Sequence, residues 1–504
     1  MNNNLNRFLI LIIAILSSQS LITSCKDDEE GIRTIPQPDI DNREDPNGSN
    51  GTMITDVTTF LVDKFAWATL DIYYLWIDDP GRRELVEATL NPDTCLSPKT
   101  TIKTVLNKED RWTALYDNFS ELLESSDGIE VTTGLDVTPW LLSKDKDEVF
   151  FVVNYVYKNS PAEAAGFKRG DIFFKLNGEP ITTKNYLDFY YAKTKITLGM
   201  GTTNEKGIID LDETREITPV KMTEDPIIAT NIFDINDNKV GYLAYSSFTN
   251  DTLCLLNICN DFSAQGVTEL ILDLRYNGGG YLSTCTAFAS MLAPKEAVLA
   301  EDIFQSNVFN NEITEFYKKS NISIDTHFEK QYADINLKIN KIYALVSEIT
   351  ASASEGLLVG LSPYLDITII GETTHGKFCS GYMLGPEDIF KEDFYNKYKE
   401  LFKDWGIYVM IGTFSDKNGN NASRPNGLVP QYLVEDNPFD GYQLGDQNET
   451  LLRKALELAG MEFPKEAKTR SFVDSPFTSI YVERPSFSIL NNKKFSEKLK
   501  KCIQ

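Results

Sequence analysis

Ser352 lies in the run Thr350-Ala351-Ser352-Ala353-Ser354-Glu355, just after the apolar stretch Ile342 to Val346 and at the head of a helical pattern ending near Leu361. Lys377 closes the run Gly371-Glu372-Thr373-Thr374-His375-Gly376-Lys377, which follows a second apolar stretch, Ile367 to Ile370. A serine hydroxyl becomes a nucleophile when a neighbouring base takes its proton. A lysine amine is such a base only when neutral, and burial among small apolar neighbours lowers its pKa toward that state. A third run, Arg275-Tyr276-Asn277-Gly278-Gly279-Gly280, follows the apolar stretch Leu270 to Leu274. Its glycines permit a sharp turn and leave backbone N–H groups uncovered, which suits an oxyanion.

Each run also has a plainer reading. Ser-Ala-Ser is a common helix N-cap, a triple glycine is a turn, and a lysine is a solvated charge. His375 is a competing base for the serine. The chain has only two histidines, His327 and His375, which argues against multi-histidine metal sites. Six cysteines beyond Cys25 are scattered without a C-x-x-C pair, so neither a zinc site nor a dense disulfide framework is expected. With 49 basic against 74 acidic residues, a net charge of −25, the chain repels nucleic-acid phosphates.

The elements that must position these runs alternate strand and helix from about residue 223. Strands are expected at Val240–Ala244, Leu270–Leu274, Ile342–Val346 and Ile367–Ile370, with helices near Leu253–Phe262, Thr284–Leu292 and Ser354–Leu361. Strand, helix and strand in succession make a parallel crossover, which sets the C-terminal ends of its strands side by side. Ser352 and Lys377 would then meet at one end of the sheet. Residues 129–222 read as a separate β unit, and residues 53–128 as a small helical domain. In the latter, one helical face runs from Val57 through Ile72, and a second helical stretch runs from Arg111-Trp112 to Leu122-Leu123.

Residues 1–24 read as a leader: a weakly basic start, an apolar run from Phe8 to Leu16, then small residues before Cys25. That run resembles a bacterial lipobox, with Cys25 as the lipid attachment site. Residues 25–52 are polar and acidic and read as a disordered tether. Lys26-Asp27-Asp28-Glu29-Glu30 resembles the export tag of Bacteroidetes surface lipoproteins. The expected location is the outer membrane of a Gram-negative bacterium, held by lipid and exposed on the surface, with the periplasmic face as the alternative.

Two resemblances follow. Ser160-Pro161-Ala162-Glu163-Ala164-Ala165-Gly166 with Lys168-Arg169-Gly170-Asp171, then a strand and Asn177-Gly178, is similar to the PDZ domains of bacterial proteases. In that family a peptide adds to a sheet edge and a backbone loop holds its C-terminal carboxylate; Gly134, Leu135, Asp136 and Val137 are the candidate loop. Asp273 to Gly280, Thr350 to Glu355 and Gly376-Lys377, in that order, resemble the S41 family of tail-specific, or C-terminal processing, proteases. The resemblance implies Ser352 as nucleophile, Lys377 as general base, and the amides of Ala353 and of Gly280 or Gly279 as the oxyanion hole. Glu355 and Thr374 fall where the family keeps supporting polar groups, and His375 stands where an aromatic residue is frequent. Pro425 to Pro430 and the Leu451–Leu458 helix look like the family's closing segment.

The implied fold is multidomain α+β: a helical N-terminal domain, a PDZ-like β domain, and a crotonase-like ββα protease core over residues 223–504. The implied function is a serine endopeptidase acting on exported proteins or peptides, with a polypeptide tail as partner and no metal or organic cofactor. The alternative is a catalytically silent peptide- or ligand-binding surface lipoprotein.

Overall fold

A computed structural model describes residues 57–90, 97–143, 145–204 and 207–464, with short pieces at 477–480, 482 and 488–489. The leader, Cys25 and the acidic tether lie outside the described residues.

The apolar runs that flank the candidate site form one six-stranded sheet. Its spatial order is Ile227–Ile235, Asn238–Tyr245, Glu269–Asp273, Lys341–Val346, Asp366–Gly371 and Tyr432–Leu433. The first two strands are an antiparallel hairpin and the rest pair in parallel. Parallel strands covered on both faces read as near-continuous apolar runs, and these do. Successive residues point to opposite faces. Leu270, Leu272, Ile342 and Ala344 pack with the helices Leu253–Gln265, Leu282–Leu292 and Ala353–Leu361. Ile271, Tyr343 and Leu345 pack with the helix Thr450–Leu458 on the other face. The expected crossover is present: Lys341–Val346 and Asp366–Gly371 are parallel neighbours joined through the helix Ala353–Leu361. The glycine run, the serine run and the lysine run therefore all leave the sheet at the same end.

A second sheet stands beside that end. Its centre is Cys379–Leu384, Gly406–Ser415 and Ile303–Phe309, paired antiparallel. The N-terminal helix Val57–Tyr73 packs on it. Phe65, Leu61 and Leu70 share a core with Phe402, Ile407, Val409 and Ile411, so the N-terminal helices close no core of their own.

The helix expected from Arg111 to Leu123 is corrected by the structure. Ala114–Tyr116 is a strand, paired antiparallel with Gly406–Tyr408, and the helix begins at Phe119. The cause is local. The Asp110 carboxylate accepts hydrogen bonds from the amides of Trp112 and Thr113, at 3.0 and 2.9 Å. That turn feeds the chain into the edge of the second sheet.

Residues 129–223 form the β unit. Its ends pair with each other, Ile129–Thr132 against Val220–Thr223. The strands Leu135–Leu141, Val149–Val156, Ile172–Leu176, Ile196–Asn204 and Gly207–Ile217 enclose a core of Leu135, Val137, Phe151, Val153, Phe173 and Leu198 among others. Ser160 caps the short helix Pro161–Ala164 by accepting from the Glu163 amide. The Glu163 carboxylate accepts from the Asn159 amide, one residue before the cap, and the helix starts where the Ser-Pro pair predicts it. Cys254, Cys259, Cys285 and Cys379 are free thiols.

Candidate active site

The serine run is stitched to the glycine run by backbone carbonyls at the strand ends. Thr350 Oγ1 donates to Leu274 O at 2.8 Å and Ser347 Oγ to Arg275 O at 2.5 Å. Asn277 O accepts from the Ala351 amide and from Ser354 Oγ, both at 3.2 Å. The Asn277 side chain donates to Tyr245 O and accepts from the Gly279 amide. Asn277 is thus the clasp between the two loops.

Ser352 occupies the N-cap position of its helix, but it does not act as a cap. Its Oγ is fully buried and has no hydrogen-bond partner among the described residues. Its backbone has φ of +63° and ψ of −115°, a left-handed conformation that costs a non-glycine residue about 1–3 kcal/mol. A serine held under strain with its hydroxyl unused is poorly explained by capping.

Glu355 joins the serine to the lysine. Its Oε2 accepts from the amides of Ser352 and Lys377, at 2.9 and 2.8 Å. Its Oε1 accepts from the Gly376 amide at 2.8 Å and from Thr374 Oγ1 at 2.5 Å. Thr374 in turn exchanges two bonds with Leu428: its Oγ1 accepts from the Leu428 amide, and its amide donates to Leu428 O. Burial raises the Glu355 pKa against the pull of these four donors. The two backbones expected to carry nucleophile and base therefore hang on a single carboxylate oxygen.

Lys377 is fully buried. Its Nζ donates to Tyr408 Oη at 3.1 Å and lies 4.8 Å from the centre of the Tyr408 ring and 5.6 Å from that of Trp112. Burial lowers its pKa to about 7, with Cys379, Asp110 and Glu355 opposing the fall. His375 is lowered to about 4 by burial and by the nearby positive charges of Arg111 and Lys377. Its amide donates to Thr350 O, and its ring packs on Trp112. At neutral pH the imidazole is uncharged and a weak base, whereas the lysine is close to its midpoint.

The expected oxyanion donors are not equivalent. The Gly279 amide is already engaged by Asn277 Oδ1 at 2.9 Å. The Ala353 amide, first in its helix, has no partner among the described residues. Gly280 has φ of +135°, and a Cβ there would lie 2.2 Å from Phe248 O, so this position admits only glycine.

The loop expected to seat a carboxylate has its first amides occupied. Gly134 N–H donates to Thr132 Oγ1 at 3.1 Å and Leu135 N–H to Thr133 Oγ1 at 3.3 Å. Leu135 and Val137 point into the β-unit core, and Asp136 accepts from the Asn154 amide group. A cavity of about 310 Å³ lies beside this loop, between Asp136 and Val137 on one side and Gly278 to Gly280 on the other. Glu224 lines it, pushed up to about 7 by burial although Ser246 Oγ donates to it at 2.6 Å.

Composition and motif order gave no sign of one large polar cluster. Arg275, with no exposed surface, binds Asp273 on both carboxylate oxygens and Glu449 on both, and reaches Asp436 at 2.7 Å. Arg169 of the β unit binds the same Asp436 oxygen at 2.7 Å and donates to Tyr276 Oη at 2.6 Å. Burial alone would raise the Asp436 pKa, but the two guanidinium groups hold it well below the usual carboxylate range.

The fold sets a β unit before an α/β core that carries the candidate site at its strand ends. Residues 239–434 match peptidase family S41 and residues 152–198 match the PDZ domain, so the chain carries a peptidase S41 domain together with a PDZ domain. It is similar to the carboxy-terminal processing protease CtpA of Bacillus subtilis, 26% identical over 350 residues, which are 67% of this chain and 66% of that protein. It is also similar to a carboxyl-terminal-processing protease of Picosynechococcus, 25% identical over 306 residues, 59% of this chain and 64% of that protein. The chain thus spans just under two thirds of the length of these curated relatives. A solved structure from Bacteroides fragilis, assigned to the S41 proteases, shares the fold: its TM-score is 0.61 at 21% identity, covering 78% of this chain and 96% of that one.

Proposed function

We propose that this protein is a serine endopeptidase of the C-terminal processing type, with Ser352 as nucleophile and Lys377 as general base. The observation that carries the reading is the Glu355 carboxylate, one oxygen of which holds the backbones of both residues. The lysine beside it is buried deeply enough to be partly neutral at physiological pH. Ser352 Oγ bonds to the scissile carbonyl carbon as its proton passes to Lys377 Nζ. The carbonyl oxygen takes the negative charge and meets the open Ala353 amide. As the intermediate collapses, the C–N bond breaks and Lys377 returns the proton to the leaving amine. Water then bonds to the acyl carbon as it gives a proton to Lys377; the ester C–O bond breaks, and Lys377 returns that proton to Ser352 Oγ. Ser352 Oγ has no hydrogen bond among the described residues, and catalytic hydrogen bonds commonly tighten only once substrate is bound.

The sealed, unpartnered serine also favours a second reading, a chain that binds peptides and does not cleave them. A fluorophosphonate probe separates the two. Under the peptidase reading, wild type is labelled and cleaves unfolded polypeptide, while Ser352→Ala does neither. Lys377→Arg keeps a charge that stays protonated and should lose at least about 100-fold, the general-base contribution. His375→Ala should keep most activity. The rate should rise with pH through about 7, because the neutral amine is the active form. A folded Lys377→Arg of normal activity beside a dead His375→Ala would transfer the base role to the histidine.

The substrates proposed are exported proteins or peptides met at a C-terminal tail, with the protein held to a membrane by lipid on Cys25. Cys25→Ala should release it from the membrane fraction. Protease shaving of intact cells then reports whether it faces outward, and retention of the variant on membranes would remove the anchor.

A further inference from the structure

Tyr408 sits on the strand Gly406–Ser415, almost fully buried, with its hydroxyl on Lys377 Nζ. The fit depends on a missing side chain. A Cβ at Gly381, on the neighbouring strand, would lie 2.7 Å from Tyr408 Cε2 and 2.6 Å from Met410 Cε. Gly381 therefore makes room for the phenol ring against the strand that begins just after Lys377. On the other side stands Trp112. Its amide is fixed by Asp110, and its indole packs on Phe378 and His375 with ring centres 5.9 and 6.4 Å away. Two aromatic rings from different parts of the chain thus bracket one buried amine.

We infer that Tyr408 is the positioning residue for Lys377, holding the amine by its N–H so that the nitrogen lone pair turns away from the phenol and is left for the serine proton. The inference rests on the Ser352–Lys377 reading above. A neutral amine has two N–H bonds and one lone pair in tetrahedral directions, and an unheld lysine head rotates freely among them. One N–H committed to Tyr408 Oη removes most of that freedom, which is the entropy a proton transfer otherwise has to supply. The proton balance is simple. Ser352 Oγ gives its proton to the lone pair and bonds to the carbonyl carbon; Nζ becomes an ammonium still donating to Oη; Tyr408 keeps its own proton throughout. The ring faces of Tyr408 and Trp112 stabilise the ammonium while it exists.

The groups that face Nζ set the sign of the pH effect. Glu355 on the serine helix, Asp110 on the N-terminal segment and Cys379 on the lysine's own strand favour the charged form, and burial outweighs them. His375 lies beside them and Arg111 beyond it. Tyr408 Oη is an acceptor, so it too favours the ammonium. Its removal should make the lysine easier to deprotonate and harder to aim.

The test is the rate of fluorophosphonate labelling of Ser352 against pH, on the full chain. Tyr408→Phe keeps the ring and the Gly381 fit and loses only the oxygen. The expected result is a plateau rate at least about tenfold lower with the rising limb moved to lower pH. A purely structural tyrosine would leave the limb in place. If Tyr408→Phe does not fold, 3-fluorotyrosine at position 408 keeps the packing, weakens the acceptor, and should move the limb the same way by less. Wild-type rate and limb in the foldable variant overturn the inference alone. A folded wild type that is never labelled at any pH removes the Ser–Lys reading, and this inference with it.

Discussion

Lys377 is the residue at which the proposed function and stability oppose each other. Its pKa lies near 7 in the folded protein against an ordinary value of 10.5, and burial is the main cause. Between those two pH values the unfolded chain binds a proton that the folded chain does not, so stability rises with pH across the window from about 7 to about 10.5. Below pH 7 the cost is fully present; above the unfolded value it is gone. Lys377→Met should therefore abolish activity and yet stabilise the fold, by on the order of 1–3 kcal/mol at pH 7 and by close to nothing above pH 10.5. Urea midpoints at the two pH values check it, and an equal gain at both would mean that the amine is not the source. Ser352, Lys377 and the glycine run could be singled out in the sequence, each with small neighbours after an apolar run, while the roles proposed for them come from the resemblance to the S41 family. Tyr408 and Trp112 could not. A tyrosine in an apolar strand and a tryptophan beside a turn look like core, and only the fold brings them to the lysine.

At the scale of elements, the parallel crossover was legible because its strands are wholly apolar and its helix begins at a run of small residues. The segment from Arg111 to Leu123 was not, because its spacing fits a helix while its pairing with Gly406–Tyr408 is a tertiary fact. The same distinction applies to the segment Pro425 to Pro430. Its sequence marks a turn; the structure shows that it braces the lysine loop. Gly427 has φ of +90°, and a Cβ there would lie 2.0 Å from Thr374 O. Gly427→Ala must push Thr374 away, which breaks its exchange with Leu428 and loosens its bond to Glu355. Activity should fall by about 10–100-fold, since a displacement near 1 Å costs that much when a base must be aligned. The fold should lose roughly 1–3 kcal/mol through the strained left-handed position. Full activity in a Gly427→Ala protein with normal melting would show that the brace does not position the base.

At the scale of the molecule, the PDZ domain is fixed to the peptidase domain by charge as well as by chain. Arg169 and Arg275 share Asp436, and Arg275 is closed off by Asp273 and Glu449. Removing one member of such a buried set leaves its partner charged and unpaired, a cost of about 3–5 kcal/mol. The candidate tail loop and the glycine loop line one cavity. In this structure the Thr132 hydroxyl takes the Gly134 amide, which a terminal carboxylate at the proposed seat would need. Thr132→Val removes the hydroxyl at nearly constant volume and frees that amide. In a Ser352→Ala background, a peptide with a free apolar C-terminus should bind Thr132→Val several-fold more tightly than it binds the parent, about 1 kcal/mol for one hydrogen bond no longer in competition. The same peptide amidated at its C-terminus should show no gain. Calorimetry on the full chain reads both affinities. An equal gain for acid and amide would mean that Thr132 acts on the shape of the groove, and would remove the loop from Gly134 to Val137 as the carboxylate seat.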